Sequence, residues 1–219
     1  MAICVAAHES NVLIGPEKMP GTLCVPPGAK RLILVAQGDR RSRMGSETQN
    51  ISLALQERGF ATLLIDLLNE CEASDPWCFF DIPLLALRLR EVESWARDQP
   101  MIASLPQGCF GFGTSVAAAL VAAALSGTSL GAVVSLGGRP DLAKAYLPKV
   151  TVPTLLMVGG DDECAISLNR KALNKLSCVK HLELVSDAAR PLTEPSVLEH
   201  VARLTGDWFS KYLPSKDNE

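Results

Sequence analysis

A chain of 219 residues with 47% apolar and only 5% aromatic side chains has the material for a single core packed from alanine, leucine and valine. Its net charge of −3 argues against a general nucleic-acid or membrane-surface role. No apolar run reaches the roughly 18 residues that span a bilayer.

The first residues, Met1-Ala-Ile-Cys-Val-Ala-Ala-His8, lack a basic leader and read as a strand rather than a signal peptide. The seven cysteines, at 4, 24, 71, 78, 109, 164 and 178, show no Cys-x-x-Cys spacing. They read as free thiols in a reducing compartment, so a cytoplasmic location is expected. His8, His181 and His200 have no metal-ligand spacing, so no metal site is expected.

Along the chain, apolar strand-like runs alternate with helical patterns. The expected order is strands Ile3–Ala7, Thr22–Val25 and Arg31–Ala36, helix Ser46–Arg58, strand Ala61–Leu67 and helix Ile82–Asp98. Strand Gly108–Phe112, helix Val116–Leu125, strand Gly131–Ser135 and helix Asp141–Leu147 follow. Strand Thr154–Gly159, helix Ala165–Leu176, strand His181–Val185 and helix Glu194–Tyr212 complete the series, with a frayed tail from Pro214. Gly59 and Gly127 stand where helices stop, and Pro195 suits a first helical turn. The central strands are nearly continuous in Val, Ile and Leu, as strands covered on both faces must be. The pattern predicts one α/β domain over residues 1–219, a doubly wound, mostly parallel sheet flanked by helices. In such a sheet ligands bind beyond the carboxyl ends of the strands. The loops to watch are therefore 37–45, 113–115, 160–164 and 186–194.

The stretch Gln107-Gly-Cys-Phe-Gly-Phe-Gly-Thr-Ser-Val-Ala-Ala-Ala-Leu120 combines a buried strand, a glycine-pinched turn and an alanine-rich helix. It is similar to the nucleophile elbow of α/β-hydrolases, Gly-x-Nuc-x-Gly, in which a strained turn presents a serine or cysteine. Further stretches carry the same likeness: Glu57-Arg-Gly-Phe-Ala-Thr-Leu-Leu-Ile-Asp-Leu-Leu68, Phe80-Asp-Ile-Pro83, Pro153-Thr-Leu-Leu-Met-Val-Gly-Gly-Asp-Asp162 and Leu204-Thr-Gly-Asp-Trp-Phe209. From about Leu23 to Leu213 the chain resembles the dienelactone-hydrolase-like branch of the α/β-hydrolase superfamily. That resemblance implies a minimal α/β-hydrolase fold with no large lid, a pocket for a small carboxylic ester or lactone, and no cofactor.

It also implies a nucleophile, a histidine base, an acid that orients the base, and N–H donors for an oxyanion. The acid position falls on Asp162, with Asp161 beside it. In the simplest register the nucleophile position falls on Gly113. A competing register, Gly113-Thr-Ser115-Val-Ala117, places Ser115 there. The base position falls on Arg190, whose pKa above about 12 prevents it from accepting a proton at neutral pH. His181 and His200 lie in a strand and a helix, away from that loop. Relatives carry a His-Gly loop after the third strand, whereas this chain has Gln37-Gly-Asp-Arg-Arg-Ser-Arg43.

Arg40, Arg41 and Arg43 read either as a solvated loop or as an anion site shared with Arg190. Asp162 and Arg190 are expected to form an ion pair. Gln37, Gly38, Arg40, Thr114 and Cys164 are the binding candidates, Cys164 being also a weak candidate nucleophile. The implied function is a small-molecule-binding pseudoenzyme, with an anionic ligand, or an enzyme of non-hydrolytic chemistry working through Asp162 and Arg190. A residual esterase or lactonase using Ser115 is the alternative.

Overall fold

Leu32-Ile-Leu-Val-Ala-Gln37 is apolar at almost every position because successive side chains enter different cores. Leu32, Leu34 and Ala36 pack on one side of the sheet, and Ile33 and Val35 on the other. The computed structural model describes residues 8–38, 44–185 and 194–214. Its strands are β1 (His8–Ile14), β2 (Met19–Val25), β3 (Leu32–Gln37), β4 (Ala61–Asp66), β5 (Gln107–Phe112), β6 (Leu130–Leu136), β7 (Thr154–Gly159) and β8 (Lys180–Val185). They form one sheet in the order β1-β2-β4-β3-β5-β6-β7-β8. The β1–β2 and β2–β4 pairs are antiparallel, and all later pairs are parallel.

Helices α1 (Ser46–Glu57), α2 (Ile82–Arg97), α3 (Ser115–Ala124), α4 (Glu163–Lys175) and α5 (Pro195–Tyr212) cover both faces. Leu85, Leu89 and Val92 of α2, residues Val116 to Ala123 of α3 and Ala172 of α4 belong to one core. Ile51 and Leu55 of α1 and Val201 and Phe209 of α5 belong to the other. Helix α3 is buried on every side, which is why it has no polar face.

Two expectations change, and a third falls outside the described residues. Strand Ile3–Ala7 lies outside the described residues, and the first described strand is His8–Ile14. Its residues His-Glu-Ser-Asn escaped a hydrophobicity criterion because β1 is an edge strand with one neighbour and mostly exposed side chains. Second, the helix expected over Asp141–Leu147 is a kinked 3₁₀ segment, Pro140–Lys149, interrupted at Lys144 (φ 46°) and containing Pro148. Finally, α3 begins one residue earlier than expected, at Ser115. Among the described residues no helix is long and apolar enough to cross a membrane.

Candidate functional site

The carboxyl end of β5 is where backbone and chemistry meet. All six residues of the strand are buried, and the chain reverses into α3 through Gly113 (φ +51°) and Thr114 (φ −76°, ψ −22°). A left-handed backbone is costly for any residue with a Cβ, so glycine is the low-energy choice at position 113. The Gly113 carbonyl accepts a hydrogen bond from the backbone N–H of Arg139 at 2.9 Å, tying the turn to the loop after β6.

Ser115 is the first residue of α3 and is fully buried. Its hydroxyl lies 2.8 Å from the Ala36 carbonyl and 2.7 Å from the Phe112 carbonyl, which compete for its one proton, and it accepts from the Phe112 N–H at 3.0 Å. The oxygen thus stitches β3, β5 and α3 together. A Cβ at Gly111 would stand 2.9 Å from this oxygen, so the serine also dictates the glycine four residues before it. Thr114 donates from its hydroxyl to the Gly38 carbonyl at 3.2 Å, and a Cβ at Gly38 would meet the Ser115 N–H nitrogen at 3.4 Å. Gly38, Thr114 and Ser115 are therefore brought together around the elbow.

Gln37 is not part of that group. Strand alternation sends its side chain to the α1 face, where Nε2 donates to Thr48 Oγ1 at 2.5 Å. Its Oε1 is buried with no partner among the described residues. Arg40, Arg41, Arg43 and Arg190 lie outside the described residues, and with them the expected anion cluster and the Asp162–Arg190 pair.

Asp162 sits beyond β7 as the N-cap of α4, its Oδ1 accepting from the Ala165 N–H at 2.8 Å. Cys164 follows in the first turn of α4 as an exposed free thiol. Cys109, on β5, is fully buried, and burial followed by the Glu93 carboxylate pushes its thiol far above the ordinary range. It is core material. His181 pairs with Glu183 at 3.1 Å on β8, and His200 meets Arg203 at 3.2 Å on α5. No cluster of three metal-ligating side chains occurs among the described residues.

One pair escaped the sequence reading. Arg139 donates through Nε and Nη2 to the two oxygens of Asp141, at 2.8 and 2.9 Å. These hydrogen bonds hold the Asp141 carboxyl below its ordinary range and push the Arg139 guanidinium up. Gly137-Gly-Arg-Pro-Asp141, directly after an apolar strand, was the available signal. Nearby, the Asn169 amide of α4 donates to the Gly138 carbonyl at 3.2 Å. A continuous set of contacts therefore runs from the elbow through Arg139 and Gly138 to the helix that Asp162 caps.

No family model matches the chain. A dienelactone hydrolase from Anabaena variabilis, known from its crystal structure, is 41% identical, with a TM-score of 0.87 over 95% of this chain and 98% of that one. The chain belongs to the dienelactone hydrolase family. A dienelactone hydrolase-like promiscuous phosphotriesterase from metagenomic libraries shares the fold at 14% identity and a TM-score of 0.77, covering 95% of this chain and all of that one. Two Mycobacterium tuberculosis strains carry relatives 43% identical over 206 residues and provisionally named as a phosphoribosyl transferase. The match takes in 94% of this chain but 46% of theirs, so the chain spans about half the length of those curated relatives. In this family setting, the elbow is that of an α/β-hydrolase with glycine at its left-handed position.

Proposed function

We propose that this member of the dienelactone hydrolase family uses the α/β-hydrolase fold to bind a small anionic molecule and does not perform Ser–His–Asp hydrolysis. The observation that carries the reading is the elbow. Its left-handed residue is Gly113, and the Ser115 hydroxyl two residues on is buried and engaged by Ala36 and Phe112. A serine needs an accessible oxygen and a base within hydrogen-bond reach to attack a carbonyl. Arg190 at the family's base position supplies a fixed positive charge in place of a proton acceptor. The elbow amides remain as hydrogen-bond donors for an anion, since they depend on backbone alone.

Incubation with a fluorophosphonate probe and with p-nitrophenyl esters tests this. No adduct and no turnover above background are expected. An adduct on Ser115, with ester hydrolysis abolished in Ser115→Ala, would overturn it in favour of the residual esterase.

A second reading takes its support from Asp162, whose second carboxylate oxygen is not needed for capping α4. Asp162 would act as acid or base in an isomerisation, cyclisation or elimination, with Arg190 stabilising developing charge. Loss of turnover in Asp162→Asn, on whichever substrate screening identifies, is its test. The name of the mycobacterial relatives suggests the first ligands to try. Ribose 5-phosphate and phosphoribosyl pyrophosphate should be titrated calorimetrically against the intact chain.

A further inference from the structure

The edge of the sheet farthest from β8 carries a concavity. Residues of β1, β2, β4 and α1, with Met44, line a cleft of about 340 Å³. That volume lies in the range of small-ligand sites. Its floor is Leu64 of β4, and Leu53 of α1 and Met44 form apolar walls, exposed by 56% and 62%. The polar lining is dense. Asn11 of β1 and Gln49 and Gln56 of α1 contribute amides, Thr22 and Ser52 contribute hydroxyls, and Glu9 contributes the one formal charge.

These groups are organised. The Gln56 amide donates to Ser52 Oγ at 3.0 Å and to Thr62 Oγ1 at 2.7 Å, and Ser52 Oγ donates to Thr62 Oγ1 at 2.9 Å. Across the cleft, Thr22 Oγ1 donates to Asn11 Oδ1 at 3.2 Å. Fixed polar groups beside the exposed apolar side chains of Met44 and Leu53 offer a ligand both hydrogen bonds and an apolar contact. No lysine or arginine lines the cleft among the described residues.

We infer that this cleft binds a neutral, polyhydroxylated ligand, a free sugar or the sugar of an unphosphorylated nucleoside. An ionised carboxylate accepts from two neighbouring hydroxyls through charge-assisted bonds. The amides donate and accept around the remaining hydroxyls, and Met44, Leu53 and Leu64 cover an apolar C–H or base face. Discrimination is built in through charge. Glu9 repels a phosphate and no cation among the described lining residues compensates, so the phosphorylated form binds more weakly. The site is separate from the elbow, because it opens on the α1 face at the β1–β2 edge, whereas Gly113 and α3 serve the opposite core.

Calorimetry and saturation-transfer NMR on the intact chain with D-ribose, adenosine and AMP test the assignment. Saturable binding of adenosine, with or without ribose, is expected at a Kd on the order of 1 mM or tighter, with AMP at least roughly tenfold weaker. Binding of both neutral probes identifies a sugar site, and binding of adenosine alone a nucleoside site. Glu9→Lys, an exposed edge-strand substitution, should bring AMP level with adenosine or above it. Gln49→Leu should weaken the neutral probes roughly tenfold. No saturable binding by ribose or adenosine, AMP binding equal to adenosine in the natural chain, or affinities unmoved by both substitutions would each overturn the inference.

Discussion

The turns after β5 and β7, where the family resemblance implies a nucleophile and an acid, are built on opposite terms. After β5 the backbone is left-handed, the residue there is glycine, and the nearby serine hydroxyl is spent on Ala36 and Phe112. After β7 the backbone at Asp162 is ordinary (φ −97°, ψ 84°), and the carboxylate caps α4 with one oxygen. The left-handed residue of the first turn carries no side chain. The second turn keeps a side chain whose removal would also cost helix stability. The comparison teaches that a residue at a family's catalytic position can be accounted for by local structure before any reaction is invoked.

The largest way to break this comparison is Ser115→Ala. Removing a buried hydroxyl that serves three backbone groups should destabilise the fold by about 1–3 kcal/mol in urea titrations, with ligand binding at the elbow altered little. Unchanged stability would mean the hydroxyl is not structural. Gly113→Ala comes next, at about 1–2 kcal/mol, because alanine must adopt the left-handed backbone. A smaller cost would show that the turn relaxes. Gly113→Ser combined with Arg190→His then sharpens the functional side. If only side chains separate this elbow from a hydrolytic one, fluorophosphonate labelling should appear in the double variant and in neither single one.

Asp162→Ala should cost about 1 kcal/mol through loss of the α4 cap, while Asp162→Asn should be nearly neutral because asparagine caps equally well. Thermal unfolding of the pair distinguishes a cap from a charge effect. Smallest is the Arg139–Asp141 pair, half open to solvent, where Asp141→Asn should cost less than about 1 kcal/mol. Its pH dependence has a fixed sign. The folded-state pKa of Asp141 is lowered, chiefly by its hydrogen bonds from Arg139. Its contribution is therefore complete above the ordinary aspartate pKa and is lost as pH falls through the folded value. Asp141→Asn should flatten the acid limb of a stability–pH curve. An unchanged limb would mean the pair contributes nothing.

Much of the architecture was legible from hydrophobic pattern alone. The parallel strands β3 to β7 are apolar on both faces, and such runs announce themselves. Edge strand β1 was not legible, because an edge needs only one buried face and its polar residues resemble a loop. The 3₁₀ segment after β6 was also misjudged, since spacing in Asp141–Leu147 suits a helix and only the kink at Lys144 shows otherwise. At the site, the carboxylate at 162 and the glycine at 113 were legible as positions, and the Arg139–Asp141 fork was not.

By itself, then, the sequence determined the alternation of strand and helix, the two-sided core and the absence of a histidine from the loop before α5. Those are properties of composition and period, which act locally. Two questions passed beyond it. Whether Gly113 or Ser115 takes the left-handed backbone depends on where β5 ends, and β5 ends where its pairing with β3 and β6 ends. Whether the Ser115 hydroxyl faces solvent or the Ala36 carbonyl, 79 positions earlier in the chain, depends on β3 lying beside β5. Only packing brings those distant segments within hydrogen-bond reach, so only the tertiary structure decided what the elbow presents.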